Sequence, residues 1–299
     1  MSPASSTCLD ATDCYYDKDT TVTFTAHPAS PYAFAGWSGI NTFNGSAVLQ
    51  VNDQIVATAN FQIPDTLNPA GITNGANYVY GNLAPGEIIS IFGLQFGPEE
   101  LTSYQVIGDV MTNTLAQTRV LFDGIAAPLI YVSANVISAI VPYEVAGKKQ
   151  TSIHIDYQGK RTNAVSFPVD RAFPALLTAD SSGDGQGVIV NEDGSINSNA
   201  NPAAQGSIVS LFGTGEGMTS PPGVDGRIAT ITFPVPLLPV TVTIAGRNAQ
   251  LQYFGAAENM AGVIRIDAYI PEDCPSGNVP VAFAVGPYAS PENVTVAVQ

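Results

Sequence analysis

Acid–base chemistry in this chain of 299 residues would have to draw on only two histidines, His27 and His154, and neither sits in a pattern that builds a site. His27 precedes a proline in a turn. His154 lies mid-strand in Ser-Ile-His-Ile-Asp, on the face opposite Ile153 and Ile155, and is expected to face solvent. No Gly-x-Ser-x-Gly elbow and no His-Glu-x-x-His pattern occurs, so the usual signatures of serine hydrolases and zinc proteases are missing. Gly183-Asp-Gly-Gln-Gly187 lacks the full spacing of a nucleotide-binding loop. It leads into Val-Ile-Val, not into a helix whose N-terminus would hold phosphate.

Carboxylates give a second kind of candidate. Asp180, Asp184, Glu192 and Asp193 offer oxygens of the kind calcium takes, six to eight at a time, but no complete calcium loop is present and turn formation is the favoured reading. Asp10, Asp13, Asp17 and Asp19 read as a solvated edge. Cys8 and Cys14 are close enough in sequence for a local disulfide, which would fit an oxidising compartment, while Cys274 is left over and reads as a buried unpaired thiol or an accidental surface one. Trp37, the single tryptophan, stands near Tyr32 and Phe34. Exposed, these rings would stack on sugars, but a domain of about 60 residues needs large apolar groups for its core, so packing is the favoured role. Tyrosines 78, 80, 131, 143, 157 and 253 are dispersed and define no platform.

The net charge of −15 repels phosphate backbones and anionic headgroups, which argues against nucleic acid as a partner. No run of 18 apolar residues suggests membrane insertion, and Met1-Ser-Pro-Ala lacks the basic start and apolar core of a signal peptide. An exported parent would make this chain a fragment. Charged residues are only 12% of the chain, so Ser, Thr, Asn and Gln must build much of the surface, as suits a secreted protein.

The elements that would position these residues are strands. Alternation of period two runs through Thr20 to Phe61, then recurs at roughly ten-residue intervals without convincing helices, which predicts β-sandwiches. Gly86-Glu-Ile-Ile-Ser-Ile-Phe-Gly93 returns as Gly206-Ser-Ile-Val-Ser-Leu-Phe-Gly213, with Glu87 to Ser207 as the non-conservative change. Val120 to Gly124 is echoed by Val242 to Gly246, and Ala139 to Pro142 by Ala268 to Pro271. The expected organisation is a small β domain over 1–63, a linker over 64–71, and two immunoglobulin-like sandwiches over 72–170 and 171–299. The second opens with a hairpin extension.

Several segments carry a family resemblance. Ile72 to Tyr78, Leu83 to Gly93, Gly185 to Asn191 and Asp193 to Pro202, in that order, resemble the Solibacter C-terminal region of large secreted acidobacterial proteins. The N-terminal part, with Thr21 to Ala26 as the opening strand, Tyr32 to Gly39 as the turn and Ala57 to Phe61 as the closing strand, resembles a divergent internalin B-repeat. The resemblance implies immunoglobulin-like modules without catalytic residues, at the cell surface or outside the cell. The expected function is a structural or adhesion module whose partner is a surface protein or glycan. A carbohydrate-binding accessory module and self-association through sandwich edges are the alternatives.

Overall fold

The computed structural model describes residues 7–8, 14–27, 29, 32–39, 46–51, 56–62 and 65–299. Among these residues it is all-β apart from two 3₁₀ turns, and the chain divides into a unit over Met1–Thr66 and a larger one over Leu67–Gln299.

In the smaller unit, β1 (Thr20–Thr25) pairs with β3 (Ser46–Val51), and β2 (Ala33–Ser38) pairs with β4 (Thr58–Gln62), both antiparallel. Phe24 and Phe34 meet Trp37 edge to face, with centroids 6.0 and 5.5 Å away. This is the geometry aromatic rings adopt when they pack on one another. Thr7–Cys8 pairs with Cys14–Tyr15 and sets Cys8 opposite Cys14. The two cysteine side chains, like Asp10 and Asp13, lie outside the described residues.

The larger unit contains two sandwiches with separate cores. In the first, β5 (Ile72–Asn74), β6 (Ile88–Phe92), β7 (Thr102–Ser103), β9 (Leu129–Val132) and β10 (Val136–Ile140) form one sheet in the order β5-β6-β10-β9-β7. The facing sheet is built on β11 (Gln150–Tyr157), flanked by β8 (Thr118–Phe122) and β12 (Val165–Pro168). Alternation places Thr151, Ile153 and Ile155 inward, against a core that includes Ile89, Ile91, Phe122, Ile137 and Phe167. Burying side chains of this size contributes about 1.5–3 kcal/mol each.

The second sandwich repeats the plan. Its first sheet centres on β15 (Ile208–Thr214), paired with β18 (Ile264–Tyr269), which pairs in turn with β17 (Leu251–Ala256). Its second contains β16 (Val240–Ile244), β19 (Gly277–Val285) and β20 (Val294–Val298). The sequence repeat is a repeat of hydrogen bonds. Gly86 and Gly206 donate to the carbonyls of Val141 and Ile270, while those two residues donate back to Glu87 and Ser207.

The expected hairpin extension is woven into this sandwich. The Val188 amide donates to the Leu177 carbonyl and Ala179 to Gln186, which makes the hairpin. Its two ends, β13 (Ala175–Leu176) and β14 (Ile189–Asn191), both pair with β15 and together act as one edge strand. Asn197 fastens the same segment to the opposite sheet, donating to the Ala297 carbonyl and accepting from its amide, with 2.9 and 2.8 Å separations.

Candidate functional site

Two places in the larger unit concentrate buried or convergent polar groups. The first is the junction between the sandwiches. Glu87, the residue that departs from the repeat, is fully buried, and its carboxyl accepts from the Ala84 amide at 2.8 Å and from Asn74 Nδ2 at 3.0 Å. Asn74 Nδ2 also donates to the Phe173 carbonyl at 3.1 Å, across the boundary. Burial pushes the Glu87 carboxyl well above the ordinary carboxylate range, against the opposing effect of those donors. At Ser207 in the second copy, the hydroxyl donates to the Ala204 carbonyl instead.

Further contacts cross the same boundary. Thr214 Oγ1 accepts from the Ile88 amide and donates to the Gly262 carbonyl, and Asp225 Oδ1 accepts from the Tyr143 amide at 2.8 Å. Tyr143 covers bare backbone at Gly86 and Gly223, where a Cβ would come within 2.8 and 2.2 Å of the phenol. Gly215 and Gly217 have φ of 85° and 77°, and a Cβ on either would stand 1.9 or 1.8 Å from the carbonyl oxygens of Phe173 and Arg171. Only glycine meets both conditions at this approach. Between them lies Glu216, 5% exposed, whose Oε2 makes no hydrogen bond among the described residues. Burial drives its pKa up to about 7. Burial also raises Asp225, to about 6, with Glu144 adding to the rise. These features make the junction a tight contact.

The second place is the outer face of β17 and β18. Arg265 reaches Asp267 through two 2.8 Å bonds, from Nε to Oδ1 and from Nη2 to Oδ2, while Ser210 Oγ donates to Oδ1 at 2.7 Å. The Arg265 guanidinium stands 5.8 Å from the Tyr253 ring centroid, and the Tyr253 hydroxyl donates to the Ala256 carbonyl. Arg265, Asp267, Tyr253 and Ala256, with Phe233, Gln252 and Glu258, line a groove of about 520 Å³.

The residues singled out by sequence fall elsewhere. Trp37 and Phe34 are half-buried, with their rings inclined at 61°, and Tyr32 is 51% exposed. Trp37 Nε1 is buried and makes no hydrogen bond among the described residues. Asp180 and Asp193 close local turns, accepting from the amides and hydroxyls of Ser182 and Ser195. Those bonds lower both carboxyls. Asp184 accepts from the Gly185 amide, and Glu192 from the Ile208 amide at 3.4 Å. No group of three or more histidine, cysteine or acidic side chains among the described residues is arranged to hold a metal ion.

His154 does lie on the outer face of β11, yet its side chain is only 14% exposed, and its Nε2 is 3.9 Å from Asp156 within a cluster containing Arg119 and Arg161. This ion-pair cluster crowds a position that strand alternation alone would leave open. Burial and then the Arg161 charge lower its pKa. A histidine depressed in the folded state costs stability as pH falls through 6.5 toward its folded value. An NMR titration is expected to put the His154 midpoint below 6.5.

Cys274 is 1% exposed, its carbonyl accepts from Gln205 Nε2, and burial raises its thiol. Its alkylation is therefore expected to be slow in the native protein and fast in denaturant, which a mass-spectrometric time course reads directly.

No protein-family model matches the chain, and no curated protein matches it. Solved structures resemble it loosely. An SGBP-B from the mixed-linkage glucan utilization locus of Bacteroides ovatus is 13% identical, with 100% of this chain and 69% of that one covered at a TM-score of 0.32. An SGBP-B from a xyloglucan utilization locus of Bacteroides uniformis is also 13% identical, covering 73% and 46% at 0.24. The D00-D0 domain of intimin is 13% identical, covering 77% and 98% at 0.21. The chain thus spans about half the length of the Bacteroides uniformis protein. These likenesses are to tandem β-sandwich proteins and carry no function across. Among the described residues, no helix is long and apolar enough to cross a membrane.

Proposed function

We propose that the chain is a non-catalytic, extracellular structural and adhesion module within a larger secreted or surface protein. The junction carries this reading. Glu87, Asn74, Thr214, Tyr143 and Asp225 are committed to bonds that hold one sandwich on the other. Groups engaged in this way supply rigidity. The segments resembling the Solibacter C-terminal region and the internalin B-repeat support the same role, and with it the arrangement of two sandwiches behind a small β domain. The test is to assay the purified chain for ester, phosphate and glycoside turnover and, in parallel, for retention on bacterial surface preparations with and without calcium. Retention without turnover is expected. Turnover abolished by His154→Ala overturns the reading.

A further inference from the structure

The two sandwiches provide a comparison internal to the molecule. In each, the strand beyond the central pair carries a one-residue bulge, between Leu129 and Tyr131 in β9 and between Leu251 and Tyr253 in β17. Bulges of this kind re-aim side chains and are common beside binding sites. The register makes the two outer faces equivalent position by position. Tyr131 faces Ser138 and Tyr253 faces Asp267, while Ser138 pairs with Ser90 and Asp267 with Ser210. One step along, Val136 pairs with Phe92 and Arg265 with Phe212. The first copy therefore presents Ile130, Ser138 and Val136 where the second presents Gln252, Asp267 and Arg265.

The sheet edges differ in the same sense. In the first copy β7 pairs with Tyr131 and Val132, and the Tyr104 amide donates to the Ile130 carbonyl, so the bulge is covered. In the second copy the sheet ends at β17 among the described residues. The segment before β16 meets it where the Ala256 amide donates to the Pro234 carbonyl. What lies between is the groove. Gly255 lets that segment and the Tyr253 side chain close over the strand, since a Cβ there would come within 2.8 Å of the Tyr253 hydroxyl and 3.0 Å of the Pro234 carbonyl oxygen. An edge covered at its Ala256 end and not at its bulge, and a face made polar, coincide in one copy alone.

We infer that this groove is a binding site for a neutral saccharide. Arg265 and Asp267 cancel each other in a two-bond pair, so the groove has no free positive charge to draw an anion, and the whole chain carries −15. What remains for a ligand is the planar amide of Gln252, the unused guanidinium hydrogens, the exposed Glu258 carboxylate and aromatic carbon on Phe233 and Tyr253. Hydroxyls and C–H faces alternating around a pyranose match that mixture of planar polar groups and ring carbon. The volume is within the range of about 300–1,000 Å³ usual for small-ligand sites.

The inference goes beyond the structural role proposed above, which stands whether or not the groove is filled. The test is isothermal titration calorimetry of the full chain with neutral hexasaccharides of β-1,4-glucose, β-1,4-xylose and α-1,4-glucose, with an extended Thr/Val peptide as a rival ligand for the open edge. Saturable binding of one saccharide is expected, weakened about tenfold or more by Gln252→Ile and by Phe233→Ala. Gln252→Ile installs the residue the first copy already carries at its bulge, so the fold is expected to persist, and unchanged thermal melting verifies this. Silence across the saccharides, binding of the peptide alone, or binding that survives both substitutions but is lost in Trp37→Ala overturns it.

Discussion

Gly215→Ala is expected to destabilise the larger unit by roughly 3 kcal/mol or more, at the top of the usual range for a point change. Two independent costs fall on the same atom. The backbone φ of 85° strains any residue with a Cβ, and that Cβ would stand 1.9 Å from the Phe173 carbonyl oxygen. Relief requires the chain to separate there. The Phe173 amide donates to the Gly215 carbonyl at 2.8 Å, so separation also breaks that bond and displaces the Phe173 carbonyl that Asn74 reaches across the junction. Chemical denaturation of wild type and variant measures the loss. Gly124→Ala serves as the comparison, because its φ is 90° but nothing lies within 4 Å of the added atom. It is expected to show the backbone cost alone, about 1 kcal/mol. Equal effects at the two positions would mean that the close approach contributes nothing.

A second large effect is expected from pH. Glu216 has an ordinary value of 4.5 and is raised by burial to about 7. The folded protein therefore holds a proton that the unfolded chain releases, and stability falls as pH rises between these two values. The full fall from this group is roughly 3 kcal/mol, complete above its folded pKa and absent below its unfolded one. Asp225 acts in the same direction between 3.8 and about 6. Asp156, held down by its Arg161 bond, acts oppositely, and its contribution is lost as pH falls below 3.8. Unfolding free energies of wild type and Glu216→Gln are expected to diverge between pH 4.5 and about 7, with the wild type losing more, and to run parallel above. Parallel curves throughout would show that Glu216 is ionised in the folded state.

The sandwiches were legible because burial writes a period of two into a strand, and two copies of one plan repeat it. Gly86 to Gly93 and Gly206 to Gly213 match since both strands sit between the same neighbours and under the same kind of core. The site residues were harder to see, for a physical reason. Glu216 lies between two glycines, a composition typical of an exposed turn, and its burial is decided by the Arg171–Phe173 segment packed against it. Such a contact leaves no local periodicity. Tyr253 looked like one dispersed tyrosine among several. The signal that would have singled it out was in the repeat itself. Aligning the copies sets Tyr253 on Tyr131 and places charged Asp267 where Ser138 stands, a contrast that hydrophobic patterning alone ignores. Strand alternation gives the face of His154 but not the ion-pair cluster of Arg119, Asp156 and Arg161 beside it.

The central claim is that the two sandwiches are locked into one body by their junction. Hydrogen exchange followed by mass spectrometry along a urea series tests this on the full chain, reading β11 in the first sandwich and β19 in the second separately. The account predicts one coincident loss of protection for both strands in wild type. Protection lost from one strand at a clearly lower urea concentration, with the other intact, would contradict it.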